Sequence, residues 1–515
     1  MKIRVATFSI LTSLKLSNVI FHSFIFCCLA VMSFAQVNQI SRFEIPQDEN
    51  TNDYRVISLE DKGLLVYRRY FNKGYISLEI TRMDTTLQKQ WVGIITLDNS
   101  LSMQQARVSN GNVFILFKQR NSAKSDFQVL EINCDTGAYD YHLVSNAIPF
   151  NPSEFIITQN AAWIGGYFNY RPVIVHYNFN TQTSKALPGF FNEPGELNQL
   201  KAYTNGSVDV VVIAKNLERK KCLWIRNYNP EGNLIKTTVI EPEAKKNFIY
   251  GRSVKIQNDE QIVGGVYGRN TEYSRGLFIA SVNPYGEYSV NYYNFADLSN
   301  FFNYMKDDKQ RRVKNRIERR KVNGKKIKFN YRFLVHDIIP YGNQYILLGE
   351  AFYPTYIYPA YYKNFQRFAY DPRIKSDIIF DEFQYTHAMI IGFNKEGKLT
   401  WDNSFELNDV KARELTQFVK IQTEQSRIVL LYLFQNQIRS KIIKDSKVLE
   451  GLTQEEMKTK YKSDESNGLD TETSHLDHWY KNYFFAYGIQ NVKNLTEGDV
   501  SLHRKVFFIN KLNYK

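Results

Sequence analysis

Histidine and carboxylate side chains that could carry chemistry lie close together at three places in this chain. The groups are His475 with Asp477 and His478, His336 with Asp337, and Asp381 with Glu382. The first has residue types that ligate a metal ion, the second combines a general base with an acid, and the third has paired carboxylates of the kind that cleave glycosidic bonds. Whether any group acts depends on the elements that position it.

The predicted elements argue against all three kinds of chemistry. The first group lies at the end of a polar segment, residues 458–477, which favours a solvated turn. His336 and Asp337 fall in a predicted strand, where adjacent side chains point to opposite faces of the sheet. Neighbouring carboxylates are common, and the chain has no phosphate-binding loop, nucleophile elbow or zinc-protease motif. We therefore predict no catalytic residue, no metal site and no cofactor.

A strand–turn unit recurs along most of the chain. Its clearest copies are Tyr228-Asn229-Pro230-Glu231-Gly232, Val282-Asn283-Pro284-Tyr285-Gly286 and Phe393-Asn394-Lys395-Glu396-Gly397. Asn in the first turn position and Gly in the fourth predict a type I turn that closes a hairpin. Equivalent turns at residues 84, 135, 180, 229, 283, 394 and 445 are 45 to 54 residues apart, with one interval of 111. This period, built from strands, resembles that of β-propeller blades.

The strands of each repeat, named A to D in chain order, predict an all-β propeller. B strands such as Val113–Phe117 and Ile428–Phe434 are continuously apolar, which is typical of strands buried on both faces. They lack the alternation of an outer-membrane barrel, and the constant period argues against a row of β-sandwich domains. Counting B–C pairs favours eight blades, while seven blades with an odd final element stay open.

The two ends of the repeat region predict how the propeller closes. The last repeat supplies a B strand, Tyr483–Ile489, and a C strand, Lys505–Leu512, and no D strand follows. Val37–Ile45 is a lone strand without a repeat of its own. We predict that it pairs with Lys505–Leu512 and completes the last blade, because this removes an exposed sheet edge.

Residues 1–35 predict an export signal. Three cations precede or enter a largely apolar run that is short for a membrane anchor, and Ser33-Phe34-Ala35 has the small-x-small form that a signal peptidase needs. With the tyrosine- and asparagine-rich chain behind it, this start resembles that of secreted proteins of Bacteroidota-type bacteria. We expect residues 36–515 to form one propeller domain in the periplasm, at the outer surface or outside the cell.

Three predicted insertions interrupt the period, at residues 297–330, 353–386 and 451–478. The first and third fall in connections from a D strand to the next A strand, and the second falls between a B and a C strand. In an up-and-down blade, both kinds of connection emerge on the same side of the disc. Long loops on a rigid scaffold often carry function, so we expect a binding face on that side.

The first insertion is strongly basic. Between Lys306 and Lys328, twelve lysine and arginine residues outnumber three acidic ones, in a chain with a formal net charge of +14. An apolar stripe from Leu298 to Ile317 predicts a helix that begins near residue 297 and ends at Asn323-Gly324. The candidate binding residues for an anionic partner are Arg311, Arg312, Arg316, Arg319, Arg320 and Lys321. The alternative is a solvated helix whose charges pair with acids elsewhere on the disc.

The second insertion is aromatic, with twelve Tyr and Phe residues among residues 352–386. Such rings offer flat, amphipathic area that suits sugars or a protein partner. The candidate binding residues are Tyr353, Tyr356, Tyr358, Tyr361 and Tyr362. The alternative is that the rings only pack over the blade as a lid.

These features predict a non-catalytic binding or scaffolding propeller of the bacterial cell envelope. It would engage an anionic or glycan-bearing partner through the insertions, without a transmembrane segment in the mature chain, and we expect no nucleic-acid partner outside the cell. The alternative is a polysaccharide-processing enzyme, a hydrolase or lyase, with its site at the channel mouth.

Overall fold

The computed structural model describes residues 37–47, 54–72, 74–120, 126–146, 148–188, 194–269, 272–325, 327–357, 379–424, 426–466, 471–494 and 503–514. They form eight antiparallel sheets, each a blade of a β-propeller. The prediction of an all-β propeller with eight blades is confirmed, and the count of seven is excluded. The predicted export signal lies outside the described residues. Within them, no helix combines the length and apolar character that crossing a membrane requires.

The first four blades each have four strands in the order A-B-C-D. Blade 1 consists of Tyr54–Ser58, Leu64–Asn72, Tyr75–Met83 and Lys89–Leu97. Blade 2 consists of Leu101–Ser109, Asn112–Gln119, Phe127–Asn133 and Tyr139–Val144. Blade 3 consists of Asn151–Ile157, Ala161–Phe168, Arg171–Asn178 and Thr183–Ala186. Blade 4 consists of Gly195–Ala202, Val208–Lys215, Lys221–Tyr228 and Leu234–Ile240.

The other four blades include the elaborated ones. Blade 5 consists of Asn247–Lys255, Gln261–Gly268, Gly276–Val282 and Tyr288–Asn294. In blade 6 the A position is shared by Arg332–Val335 and Ile339–Tyr341, followed by Gln344–Ile357, Ile379–Phe393 and Leu399–Glu406. Blade 7 consists of Lys420–Thr423, Ile428–Phe434, Gln437–Lys444 and Lys447–Glu456. Blade 8 consists of Thr471–Tyr480, Tyr483–Asn494, His503–Tyr514 and, as its D strand, Val37–Pro46.

The D strand of blade 8 closes the ring as predicted. Val37–Pro46 pairs antiparallel with the C strand, from Val37 opposite Tyr514 to Pro46 opposite Val506. Arg42 forms an ion pair with Glu44 at 2.6 Å, and both side chains are only 4% exposed. Arg42 also donates to Gln490 of the B strand at 2.8 Å. The two ends of the repeat region are therefore held in one sheet by a backbone ladder and by the hydrogen bond from Arg42 to Gln490.

The core lies between the blades, where the B strands are buried. Residues Ile428–Leu433 of blade 7 are at most 2% exposed, as are Val113 and Ile115 of blade 2. Side chains from neighbouring blades meet in separate apolar clusters, for example Leu130 of blade 2 with Leu65 of blade 1. Each B strand lies between two other strands of its own sheet, and a neighbouring blade covers each face of that sheet. None of its side chains therefore faces solvent, which explains its continuous apolar sequence.

The recurring turns have the predicted geometry. In blade 4, Gly232 N–H donates to the Asn229 carbonyl at 2.9 Å, and the Asn229 side chain accepts from Asn233 N–H at 2.7 Å. Gly232, Gly286 and Gly397 have φ of +72°, +90° and +75°. A positive φ favours glycine because it has no Cβ. The Asn and Gly of the repeat are therefore the residues that this turn requires.

Two of the predicted insertions are shorter than the sequence suggested. Within 451–478, Gly451–Glu456 continues the D strand of blade 7 and Thr471–Tyr480 forms much of the A strand of blade 8. Polar residues suit these strands because one is at the outer edge of a blade and the other faces the channel. Within 353–386, Tyr353–Ile357 and Ile379–Thr386 extend the B and C strands of blade 6. The residues between them, 358–378, lie outside the described residues.

Candidate functional site

The basic and aromatic insertions meet on blade 6, on the same side of the disc. The basic insertion enters the A strand of this blade at Tyr331, and Arg332 pairs with Phe352 just before the aromatic hairpin. The hairpin extends the B and C strands beyond that point, with Ile357 opposite Ile379. The other side of blade 6 has the short turns at Gly342 and Gly397. Blade 6 thus presents both elaborations at one end.

The basic insertion contains one helix, Asp307–Val322, which ends at Asn323 and Gly324 as predicted. The prediction that it begins near residue 297 is wrong. Residues Phe295–Asp297 and Phe301–Tyr304 form two short 3-10 turns instead. These turns bury their aromatic rings against blades 5 and 6, which a continuous helix with a narrow apolar stripe would not allow.

The cations of this helix are exposed, and few of them are paired. Arg311 pairs with Asp308 one turn earlier at 2.6 Å, and Lys321 pairs with Asp297 at 3.0 Å. Within the part of the chain that the structure describes, four arginines have no acidic partner within 4.0 Å: Arg312, Arg316, Arg319 and Arg320. Both acids belong to the insertion itself, and among the described residues no acid elsewhere on the disc pairs with these four arginines.

The helix is fixed to the propeller by the segment that precedes it. Phe301 and Phe302 are at most 1% exposed and pack with Leu298 in the cluster between blades 5 and 6, and Ile317 joins them from the helix. The carboxylate of Asp402, on the D strand of blade 6, accepts from Ser299 N–H at 3.0 Å and from Asn300 N–H at 2.6 Å. The insertion is thus docked by apolar burial and by a buried carboxylate.

Replacing Asp402 with alanine should loosen this dock. Two backbone N–H groups would lose their acceptor in a site where Asp402 is 5% exposed, which costs about 1 to 3 kcal/mol. Limited trypsin digestion should then cleave the arginine-rich helix faster in Asp402→Ala than in the natural protein. Asp402→Asn keeps one acceptor oxygen and serves as the matched control. An unchanged cleavage rate in Asp402→Ala would contradict this role.

A buried histidine joins the basic insertion to the strand that continues into the aromatic hairpin. The His387 ring lies parallel to the Tyr304 ring at 3.7 Å and edge-on to Phe301 at 5.0 Å. Tyr304 and Tyr331 share a hydrogen bond between their hydroxyls at 3.2 Å. His387 is fully buried, and its Nε2 has no hydrogen-bond partner among the described residues. Burial lowers the pKa of His387 to about 3, so the ring is neutral at physiological pH.

The aromatic hairpin exposes part of its predicted binding residues. Tyr353 is 45% and Tyr356 is 47% exposed, and Phe380 is 40% exposed. The Tyr356 and Phe380 rings contact each other edge-on at 6.3 Å, while Tyr353 donates its hydroxyl to Gln384 at 2.6 Å. Tyr358, Tyr361 and Tyr362 lie outside the described residues. The packing alternative holds for Tyr385, which is 1% exposed, and not for Tyr353 and Tyr356.

The three groups that opened the sequence analysis are separated by the fold. His336 bonds Glu350 of the next strand at 2.7 Å, while Asp337 accepts from Lys201 of blade 4 at 3.2 Å. Asp477 pairs with Lys420 at 3.3 Å, and Glu382 pairs with Lys411 at 2.6 Å. Across the described residues, no three His, Cys, Asp or Glu side chains come together as a metal site would require.

Charged side chains from the A strands converge on the channel, and the sequence analysis did not identify this set. Arg107, Glu154, Lys201 and Arg252 come from blades 2 to 5. The guanidinium of Arg252 lies 5.1 Å from the Tyr250 ring centre and 3.4 Å from Asp337. Arg107, Lys201 and Arg252 each follow a β-bulge at the same place in their strands. A cation at the same position of these three A strands was the sequence signal that could have identified this set.

Glu154 is the channel carboxylate without a direct partner. Within the described residues it has no hydrogen bond and no ion pair within 4.0 Å, although Arg252 and Arg107 are near enough to act on its charge. Burial raises the pKa of the Glu154 carboxyl, and the two arginines oppose that rise. A half-buried carboxyl of this kind can bind a hydroxyl group or exchange a proton.

Comparison with known proteins gives solved structures of low TM-score and low sequence identity. No protein-family model matches the chain, and no curated protein matches it. The solved structure of the polysaccharide lyase Uly1 has a TM-score of 0.41 at 9% identity, covering 93% of this chain and 100% of the lyase. A Synechocystis apocarotenoid oxygenase has a TM-score of 0.30 at 10% identity, over 45% of this chain and 58% of the oxygenase. A prolyl endopeptidase has a TM-score of 0.30 at 10% identity, over 76% and 55% of the two chains.

Proposed function

We propose that this propeller is a non-catalytic binding or scaffolding protein of the bacterial cell envelope that engages an anionic or glycan-bearing partner. One observation carries the proposal: Arg312, Arg316, Arg319 and Arg320 are exposed without an acidic partner in the described structure, on a helix docked to blades 5 and 6. Cations that no acidic side chain neutralises remain available to an external anion. Because the helix is already ordered, binding a partner does not carry the entropic cost of ordering it.

The aromatic hairpin supports the same proposal. Tyr353 and Tyr356 present half-exposed rings a short distance along blade 6 from the docked insertion. Phenol rings combine an apolar face with a hydroxyl at low conformational cost, which suits a sugar ring or a protein surface. The proposed binding residues also include Tyr358, Tyr361 and Tyr362, which lie outside the described residues. The partner would then be held by charge at the helix and by ring contacts at the hairpin.

The proposed location is the periplasm, the outer surface or the medium, and it follows from the export signal predicted in residues 1–35. Expressing the full chain in a bacterium of the Bacteroidota type and fractionating the cells tests this location. The mature protein should begin at Gln36 and be found outside the cytoplasm. A cytoplasmic protein that retains residues 1–35 would contradict this location.

Reversing the four unpaired arginines should abolish envelope association. Each basic side chain at an anionic surface contributes about 1 kcal/mol, so the four changes to glutamate should weaken association by roughly a hundredfold or more. Co-sedimentation with envelope fragments at increasing salt measures the effect. The natural protein should lose binding as salt rises, because salt screens exposed charges.

The matched control makes the same charge change on the opposite side of the disc. Lys62, Lys395, Lys444 and Lys447 are exposed at or beside the short turns there, and their replacement by glutamate should leave association nearly unchanged. If both quadruple variants lose association equally, net charge and not the helix is responsible. If neither loses it, the proposed role of the helix is wrong.

Glu154 favours a second candidate function, an enzyme acting on polysaccharide within the channel. Its carboxyl lacks a direct partner in the described structure, and burial raises its pKa, two properties that a general acid or base needs. A screen of purified protein against charged and neutral polysaccharides, by reducing-end release and by absorbance of unsaturated products, tests this candidate. Activity should appear in the natural protein and vanish in Glu154→Gln.

A further inference from the structure

A cavity of about 660 Å³ lies in the connection from blade 7 to blade 8, apart from the helix and the hairpin. Four lysines line it, Lys458, Lys460, Lys462 and Lys493, together with the acidic residues Glu456, Asp464 and Glu465. The connection joins a D strand to the next A strand, so the cavity opens on the side of the disc that also carries the basic helix.

The walls of this cavity are held in place by hydrogen bonds. Lys458 N–H donates to the Gln39 side chain at 2.9 Å, and Gln39 donates back to the Lys458 carbonyl at 2.8 Å. The Thr459 hydroxyl donates to the Tyr461 carbonyl at 3.1 Å. Gln39 belongs to the strand that closes the propeller, so these hydrogen bonds hold the connection between blades 7 and 8 against a β-strand. The cavity therefore exists before anything binds in it.

One of its carboxylates is already neutralised from within. Asp464 has a fully buried side chain, and Arg504 donates to both of its oxygens, with the Nη1–Oδ1 contact at 2.8 Å. Asn494 donates to the same carboxylate at 3.0 Å. Arg504 also lies 3.6 Å from Glu44, so its charge is fully engaged by protein groups. The floor of the cavity is thus a closed ion pair that contributes little net charge.

The lysines, in contrast, are available. All four are exposed, and within the described residues none has an acidic partner within 4.0 Å. They outnumber the two remaining carboxylates, Glu456 and Glu465, by two, so the cavity has an uncompensated charge of +2. Ammonium groups bind phosphate as point charges, so this lining suits an anion that carries more than one negative charge.

We propose that this cavity binds a phosphate monoester carried on a sugar. A phosphate monoester has a charge of about −1.5 to −2 at neutral pH, which matches the excess of ammonium groups. The volume exceeds that of a bare phosphate ion. The Tyr461 ring is 39% exposed, with Lys460 at 5.4 Å and Arg504 at 5.1 Å from its centre, and its exposed part lies beside the lysines for contact with the sugar ring. The site extends the proposed binding role to a second position and would stand even if the helix had no partner.

Calorimetric titration with glucose 6-phosphate, glucose 6-sulfate and glucose tests the site on the full chain. The phosphate ester should bind at least about tenfold more tightly than the sulfate ester, because its charge is higher, and glucose should not bind measurably. Vesicles containing phosphatidylinositol 4-phosphate form a second arm. Binding to the free sugar phosphate assigns a soluble or glycan source, and binding only to the vesicles assigns a lipid headgroup.

Substitutions decide whether the binding occurs in this cavity. Lys460→Gln, Lys462→Gln and Lys493→Gln together should reduce affinity at least about tenfold without unfolding the protein, since all three side chains are exposed. Lys62→Gln, Lys395→Gln and Lys447→Gln on the opposite side should change nothing. Absence of phosphate-dependent binding in both arms, or binding that survives the cavity substitutions, would overturn the proposal.

Discussion

A chain that begins at residue 48 should fail to fold cooperatively. It lacks the D strand of blade 8, and the C strand His503–Tyr514 would expose its backbone along the length that Val37–Pro46 now covers. Each lost backbone hydrogen bond costs about 1 kcal/mol, and Arg504 would lose Glu44 in a nearly buried site. The total should be on the order of 5 kcal/mol or more, comparable to the whole stability of many domains.

Chemical denaturation of chains beginning at residues 36 and 48 measures this effect. The chain from residue 36 should unfold in one steep transition, whereas the chain from residue 48 should give a broad transition or aggregate through its open edge. Adding a peptide of residues 37–47 should restore part of the cooperativity. Equal midpoints for the two chains would mean that the ring is closed by inter-blade packing alone.

The repeat and the closure of the propeller could be predicted because both depend on patterns within short stretches of sequence. The turn at Asn229–Gly232 requires Asn and Gly at fixed positions, and both recur in the turns at residues 283 and 394. A B strand such as Ile428–Phe434 has to be apolar throughout because the blades cover both of its faces. The pairing of Val37–Pro46 with the last blade followed from an unpaired strand at each end of the repeat region.

The extent of the insertions could not be predicted, because it depends on contacts between distant segments. Apolar spacing around Leu298 and Phe302 fits a helix, but the rings are drawn into the space between blades 5 and 6, and Asp402 fixes the backbone there. The polar residues of Gly451–Glu456 indicated a loop, but they form a strand at the edge of blade 7, where polar side chains are tolerated. Propensity was overridden by tertiary context in both cases.

The channel charges and the lysine-lined cavity were missed for a different reason. Glu154 and Arg252 are ordinary charged residues of strands in the sequence, and only the ring arrangement brings blades 3 and 5 to the same axis. The lysines of the cavity come from residues 458–462 and from Lys493, in different strands and connections. These residues are close together only because the blades close into a ring, and a short stretch of sequence does not show this.

The stability of the protein should fall steeply with acid because of His387. Its pKa in the folded state is about 3, well below the ordinary 6.5, owing to complete burial among aromatic rings. The stabilisation from the neutral ring is therefore fully present above pH 6.5 and is lost as the pH falls from 6.5 towards 3. The slope is about 1.4 kcal/mol per pH unit, and the total is on the order of 5 kcal/mol.

His387→Phe isolates this contribution from the other titrating groups. Phenylalanine keeps a ring against Tyr304 and cannot take up a proton, so the free energy of unfolding of the variant should depend less on pH between 6.5 and 4. Denaturation at pH 7, 5.5 and 4 measures the difference between the two slopes. Hydrogen exchange at the same pH values should show the helix Asp307–Val322 opening first in the natural protein, because Tyr304 connects His387 to that insertion. Parallel pH profiles for the two proteins would exclude this coupling.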